Sequence, residues 1–248
     1  MNEAFSPFHD SPPNKEEREY LRILHHHHEK FIIFKKYLIN KENIKTAIEI
    51  GSYLTNVACR LKKYVDVYVA TDIDLKKSRN NYKEWAKSKG LNTDVNEIND
   101  QGLFFLESNK RYDALLASEI LEHLPYNPVT VINSFKKYIN IDGIIIISIP
   151  NRLSLGKIFR FMRGMHPYIF FETFTKEDYI ENKFSHHWLE YNIKDLDYIF
   201  NHCGFKNINS KKSNLFYGNK ILFSIKNLVK IITLGKVYDQ IYAAYKLK

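Results

Sequence analysis

From about residue 46 the chain alternates between two hydrophobic rhythms. Short apolar or β-branched runs at 46–50, 65–73, 114–117 and 144–149 have the length and composition of buried strands. Between them, at 54–63, 75–88 and 129–138, apolar residues recur every three or four positions, the spacing of a helix with one buried face. A weaker third strand falls near 92–98. Short strands separated by helices form βαβ units, so the pattern predicts the α/β class with a doubly wound, mostly parallel sheet covered by helices on both faces. Downstream, a helix over 193–203 stops at Gly204, a residue suited to the left-handed conformation of a helix end. Residues 205–211 and 240–245 read as strands, and 220–234 as an amphipathic, basic helix.

Ahead of this core, residues 1–15 form a polar, proline-bearing arm. Over 16–39 Leu21, Leu24, Phe31, Phe34 and Leu38 recur at helix spacing. The histidines at 25–28 sit inside that pattern and read as partly surface and partly facing the site, with metal binding the weaker reading. The division expected is an N-terminal arm and helix over 1–44 and one domain over 45–248. Within that domain 151–186 breaks the rhythm, mixing Arg152, Arg160, Arg163, Pro167 and several phenylalanines with little period. A long connection beyond the carboxyl edge of a sheet is the usual place for a substrate lid.

Bulk properties change this picture little. At 248 residues with 44% hydrophobic and 15% aromatic content, the chain can fill one sizeable core. Cys59 and Cys203 are too few for a disulfide framework and suit a reducing, cytoplasmic setting. Residues 1–20 lack the pattern of a signal peptide, and no apolar run reaches the roughly 18 to 20 residues that span a bilayer. The net charge of +9 allows an anionic partner, but lysines spread along the whole chain favour a generally basic composition.

The sharpest break in polarity is at 112–123, Tyr-Asp-Ala-Leu-Leu-Ala-Ser-Glu-Ile-Leu-Glu-His. An apolar run bounded by Asp113 and Ser118 reads as a strand buried on both faces. Ligands of open α/β sheets bind at the carboxyl ends of such strands, which makes Glu119, Glu122 and His123 site candidates. If a helical turn follows, Glu119 shares a face with Glu122 (i, i+3) and with His123 (i, i+4). A solvated helix start is the competing reading, because acids favour helix N-termini.

The first strand ends in Glu49-Ile50-Gly51-Ser52-Tyr53, where a glycine lets the backbone pass close beneath a ligand. About twenty residues on, the second strand ends at Asp72, the spacing at which a doubly wound fold holds a ribose diol. Gly51 stands alone, so a nucleoside ligand without a pyrophosphate fits better than a dinucleotide.

These motifs resemble those of class I S-adenosylmethionine-dependent methyltransferases over roughly residues 45–206. Glu49-Ile50-Gly51 is similar to the first family motif, although Tyr53 and Thr55 replace its later glycines. Asp72 matches the ribose-binding acid, with Ile73 beside the adenine. The run from Ser118 to Leu124 resembles the family's Glu-Val-Leu-Glu-His-Leu signature, and the stretch from Tyr138 to Asn151 its Pro-Gly-Gly … Pro-Asn segment. His187-Trp188-Leu189-Glu190-Tyr191 and Cys203-Gly204-Phe205 are like the family's His-x-x-Glu-Tyr … Ala-Gly-Phe.

The resemblance implies a seven-stranded Rossmann-like fold and S-adenosyl-L-methionine as cofactor. Its binding residues would be Glu49, Gly51, Ser52, Tyr53, Asp72, Ile73, Asp100, Ser118 and Glu119. His123 and His187 are the candidate bases, since imidazole titrates near neutral pH. Glu119, Glu122, His123 and His187 also resemble the metal set of small-RNA terminal 2′-O-methyltransferases and of some ubiquinone-pathway O-methyltransferases, implying a divalent ion. The expected activity is O-methylation of a hydroxylated small molecule, such as a sugar, glycolipid or cell-surface glycan precursor. Arg152, Arg160 or Arg163 would hold any phosphate on a phosphorylated or lipid-linked acceptor. An RNA 2′-O-methyltransferase ranks second because no separate RNA-binding module is visible. A non-catalytic binding protein, blocked by Tyr53, is the third reading.

Overall fold

The computed structural model describes residues 24–39, 44–52, 55–72, 82–94, 96–164, 187–215 and 220–248. Strand β1 (Thr46–Ile50) pairs in parallel with β2 (Val67–Thr71), and β2 with the two-residue β3 (Asn92–Thr93). A separate antiparallel ribbon joins β4 (Asn96–Ile98) to β5 (Phe104–Leu106). On the other side of β1 lie β6 (Tyr112–Ser118) and β7 (Ile139–Pro150), both parallel to it. With β8 (Phe205–Ser213) and β9 (Gln240–Leu247) the sheet has seven strands in the order β3-β2-β1-β6-β7-β9-β8. Only β9 runs against the direction of the other six strands. The predicted doubly wound, mostly parallel sheet is therefore present.

Alternate residues of each central strand feed two cores, which explains the continuous apolar runs. Ala114, Leu116, Ile144 and Ile146 face one layer, with α1 (Leu24–Ile39) and α2 (Asn56–Leu61). Leu115, Ala117, Ile145 and Ile147 face the other. That second layer packs on α4 (Pro128–Phe135) and α6 (Ile193–His202), while α3 (Tyr82–Ser88) precedes β3. Helix α1 belongs to the core, since Phe34 and Leu38 are buried in it. Two further helices, α5 (Leu155–Met162) and α7 (Lys220–Ile232), bury no residue at all.

The local chemistry agrees with these boundaries. Asn127 caps α4 ahead of Pro128, and Asn192 with Asp195 forms a capping box on α6. Gly204 closes α6 at φ +83°.

Several expectations shift. The weak strand at 92–98 divides between the sheet and the ribbon, whose partner β5 had no clear alternation of its own. Strand β7 starts at Ile139 rather than 144 and runs on through Asp142 and Gly143. No α-helical turn begins at Glu119: that residue takes a left-handed φ of +56°, and a 3-10 turn follows at Leu121–His123. The irregular stretch 151–186 contains α5, while its residues 165–186, like Tyr53, Ile73 and the arm at 1–15, lie outside the described residues.

Candidate functional site

The strand order reverses between β1 and β6, and the crevice beyond the carboxyl ends of strands at such a switch point is where ligands of this architecture bind. Ile50 is level with Ala117, so the loops after β1 and β6 leave the sheet side by side. They touch: a Cβ on Gly51, whose φ is +70°, would lie 1.8 Å from Ile120 Cδ1. Only glycine fits there, on both conformational and steric grounds. Thr55 at φ +59° and Glu119 at +56° share these two loops. A β-branched threonine in the left-handed region is an outlier of the kind that concentrates at ligand sites.

Glu49, Ser52, Asp72 and Ser118 sit at the carboxyl ends of β1, β2 and β6. The Glu49 carboxyl is buried and accepts a hydrogen bond from Tyr68 Oη at 2.7 Å. Burial pushes its pKa up to about 7, opposed by the Tyr68 bond and the Lys30 charge. The Ser52 amide donates to Thr71 O at 3.0 Å, holding the β1 loop against the end of β2, where Asp72 is half-buried. Ser118 Oγ lies 2.9 Å from Ser148 Oγ, which donates to Glu119 Oε1 at 3.3 Å. Asp100 stands exposed in the turn of the ribbon; nearby Gly102 has no room for a Cβ because Tyr126 presses on it.

Next to this edge the structure gathers three of the four residues of the metal-like set. Glu122, His123 and His187 each offer a ligand atom, all within 4.8 Å of one another. The imidazoles meet edge to face with centroids 4.6 Å apart. Trp188 N donates to Glu122 O at 2.6 Å, drawing the His187 segment onto the β6 loop. Glu119 points elsewhere, toward Ser148, the side-chain amide of Gln240 and, at 4.0 Å, Lys30 Nζ. Its left-handed backbone turns it off the Glu122 face.

Glu122 is 1% exposed, and neither carboxylate oxygen has a hydrogen-bond partner among the described residues. Burial and then the Glu119 charge hold its pKa well above the ordinary carboxyl range, with its own backbone N–H and then Lys30 pulling the other way and Glu190 adding to the rise. His187 Nδ1 lies 2.9 Å from Glu190 Oε1, and the buried Glu190 also pairs with Lys157 of α5. A proton on Nδ1 in that bond leaves Nε2 as the atom that can take a proton or a metal.

Lys30 was not expected here. It is 5% exposed, and its charge acts on Glu49, Glu119 and Glu122 together. The signal was available: Lys30, Ile33, Phe34 and Tyr37 fall at i, i+3, i+4 and i+7, so the lysine sits on an apolar stripe. Gln240 and Lys157 were missed as site residues because their partners come from distant segments, whereas Glu190 stands three residues from His187 in the His-x-x-Glu-Tyr motif, and that spacing was its signal.

Beyond Glu119 and His187 opens a cavity of about 680 Å³. Pro150, Leu155, Phe159, Leu215 and Leu222 form apolar walls, with Lys157, Lys226, Asp239 and Gln240 among them. A volume of that size suits a small organic ligand. Lys226 and Asp239 pair at 2.6 Å.

No family model matches the chain, and no curated protein matches it. Solved structures do. The magnesium protoporphyrin IX methyltransferase of Synechocystis PCC 6803, solved with SAH bound, is 12% identical with a TM-score of 0.59, covering 98% of this chain and 91% of its own. An S-adenosylmethionine-dependent methyltransferase from Clostridium acetobutylicum ATCC 824 is 12% identical with a TM-score of 0.59, covering 94% and 98%. A SAM-dependent methyltransferase from Archaeoglobus fulgidus is 14% identical with a TM-score of 0.55, covering 89% and 94%. The chain has the Rossmann-like fold of these methyltransferases.

Proposed function

We propose that the protein is an S-adenosylmethionine-dependent methyltransferase that O-methylates a hydroxylated small molecule, with a sugar, glycolipid or glycan precursor as the acceptor class. The observation that carries this reading is the acceptor-sized cavity lined by Glu119 and His187, which opens beside the β1–β6 switch point where the Gly51 loop packs on Ile120. In this reading Asp72 holds the ribose diol, Gly51 lets the loop approach the ligand, and Lys30 offers a cation to the carboxylate of the methionine part. When bound, S-adenosylmethionine would supply an electrophilic methyl group on a sulfonium that leaves as the neutral thioether, and His187 Nε2 would take the proton of the acceptor hydroxyl. Glu190 holds the ring in that tautomer and Lys157 holds Glu190. Much of the rate would come from alignment at near-attack distance. Calorimetry with S-adenosylmethionine tests the reading: Asp72→Ala should weaken binding by about 1.5 to 3 kcal/mol, the range for a hydrogen bond to a charged group. A folded Asp72→Ala variant with undiminished affinity would move the nucleoside site elsewhere.

A second reading is favoured by the Glu122 carboxylate, buried without a donor beside His123 and His187. One carboxylate and two imidazoles suit a divalent transition ion, and the Glu190 bond to His187 is the support that metal-bound histidines usually have. Such an ion would supply Lewis-acid activation of the acceptor hydroxyl. Titration of the metal-free protein with Mn or Co, followed by calorimetry, separates the two readings. Binding that disappears in Glu122→Gln supports the ion. No binding, together with turnover that survives chelation, leaves His187 as a base alone.

A further inference from the structure

Helix α7 is mounted inside out for a helix in water. Three of its polar residues face the protein: Lys226 pairs with Asp239, Asn227 Oδ1 accepts from Asn214 at 2.9 Å, and Lys230 Nζ donates to Lys212 O at 2.6 Å. Its apolar residues face outward. Ile221, Ile225, Leu228 and Ile232 fall at i, i+4, i+7 and i+11 on one face and are 47% to 75% exposed. Helix α5 does the same on a smaller scale, with Phe159, Phe161 and Met162 more than half exposed. Eleven of the nineteen large apolar side chains exposed among the described residues fall at 153–162 and 221–234, so the exposure is concentrated, not scattered.

Both helices also carry only one sign of charge. Residues 152–164 and 214–238 contain no aspartate or glutamate, while Arg160, Arg163, Lys220 and Lys236 flank the apolar faces. Phe159 and Leu222 line the cavity while being 55% and 42% exposed, which places its mouth between the two helices. No helix among the described residues is long and apolar enough to cross a membrane.

We propose that the protein docks on an anionic lipid bilayer through α5 and α7, with the cavity mouth against the lipid. Apolar faces edged by cations and free of carboxylates match the boundary between acyl chains and acidic headgroups. A neutral or basic protein partner would gain nothing from so uniform a cationic edge. The geometry gives an acceptor with a lipid tail a path from the membrane into the cavity, without leaving the interface. Docking is independent of the proposed chemistry and is measured without turnover.

The test is flotation of the full chain with vesicles of phosphatidylcholine alone and of phosphatidylcholine with about one third phosphatidylglycerol. The protein should float with the anionic vesicles, much less with the neutral ones, and less again at high salt. Replacing Ile225 and Leu228 by glutamate should weaken partitioning by about tenfold or more. Ile141→Glu, at an apolar residue 78% exposed near the amino end of β7, should leave partitioning unchanged. Circular dichroism and the affinity for S-adenosylmethionine serve as controls on folding. Failure of the unmodified protein to float with anionic vesicles would overturn the proposal, as would equal loss in the Ile141 variant. A solution dimer that the Ile225 and Leu228 substitutions dissolve, with no vesicle binding, would assign the face to a second copy of the chain.

Discussion

At the amino end of β6, Asp113 is among the best-served carboxylates in the molecule. Its Oδ2 accepts from the amides of Lys45 and Thr46 and from Thr46 Oγ1 at 2.9 to 3.0 Å, and Oδ1 accepts from Asn140 at 2.8 Å. Burial alone would raise its pKa, but these donors together carry it below the ordinary value. At the other end of the same strand, Glu122 lies deeper, has no donor among the described residues, and has its pKa driven up. One end ties β1, β6 and β7 together. The other keeps a carboxylate in a state that costs stability, which a ligand or a transferred proton can relieve. The contrast separates an acid that holds strands together from one that nothing in the described fold uses, which is the division the proposed chemistry relies on.

The sharpest way to test that division is to remove the group proposed to act at the costly end. His187→Ala should lower turnover by about 10² to 10⁴-fold, the usual contribution of a positioned base. Its melting temperature should move little, because the ring is half-buried at a cavity wall. A large loss of stability would place His187 with the structural groups. Glu190→Gln should give a smaller loss of turnover and shift the pH–rate profile, since it acts only through the His187 ring.

Glu49 gives the next largest effect and carries a sign. Its pKa is raised in the folded protein, so its contribution to stability is complete below the unfolded value of about 4.3 and is lost as pH rises through about 7. Chemical denaturation of Glu49→Gln against the parent should diverge over that interval by about 3 kcal/mol, with the variant favoured at the alkaline end. Parallel pH curves would mean that Lys30 and Tyr68 already compensate the charge in full.

The amino end and the scaffold were the more legible parts of the sequence, for a physical reason. Strands buried on both faces, such as 114–117 and 144–149, must be continuously apolar, and periodicity reads that directly. The switch-point residues Gly51, Asp72 and Glu119 follow from strand ends, which are equally local. What periodicity cannot reach is pairing across the chain. Lys30 meets Glu119, Gln240 meets Glu119, and Lys157 meets Glu190 only after the sheet has ordered its strands. The left-handed turn at Glu119 was also hidden, since a glutamate gives no local signal for positive φ. That single dihedral separates Glu119 from the trio formed by Glu122, His123 and His187.

The smallest effect belongs to Asp113, and it tests the other half of the comparison. In Asp113→Asn the amide oxygen can still accept from Lys45 and Thr46, while the new NH₂ confronts Asn140, which has to turn its own oxygen around to accept. The substitution therefore weakens charge-assisted bonds instead of orphaning donors. Partial exposure to water trims the loss further, to about 1 to 2 kcal/mol at neutral pH. The sign with pH is opposite to that of Glu49. A depressed carboxyl pKa stabilises the fold above the ordinary aspartate value of about 3.9 and loses that contribution as pH falls through the folded pKa. Parent and variant should thus converge in acid and separate toward neutrality, the reverse of the Glu49 pair. A variant as stable as the parent at pH 7 would show that the Asp113 charge adds nothing to its four hydrogen bonds. The two ends of β6 would then differ in burial and in hydrogen bonding, but not in the use of charge.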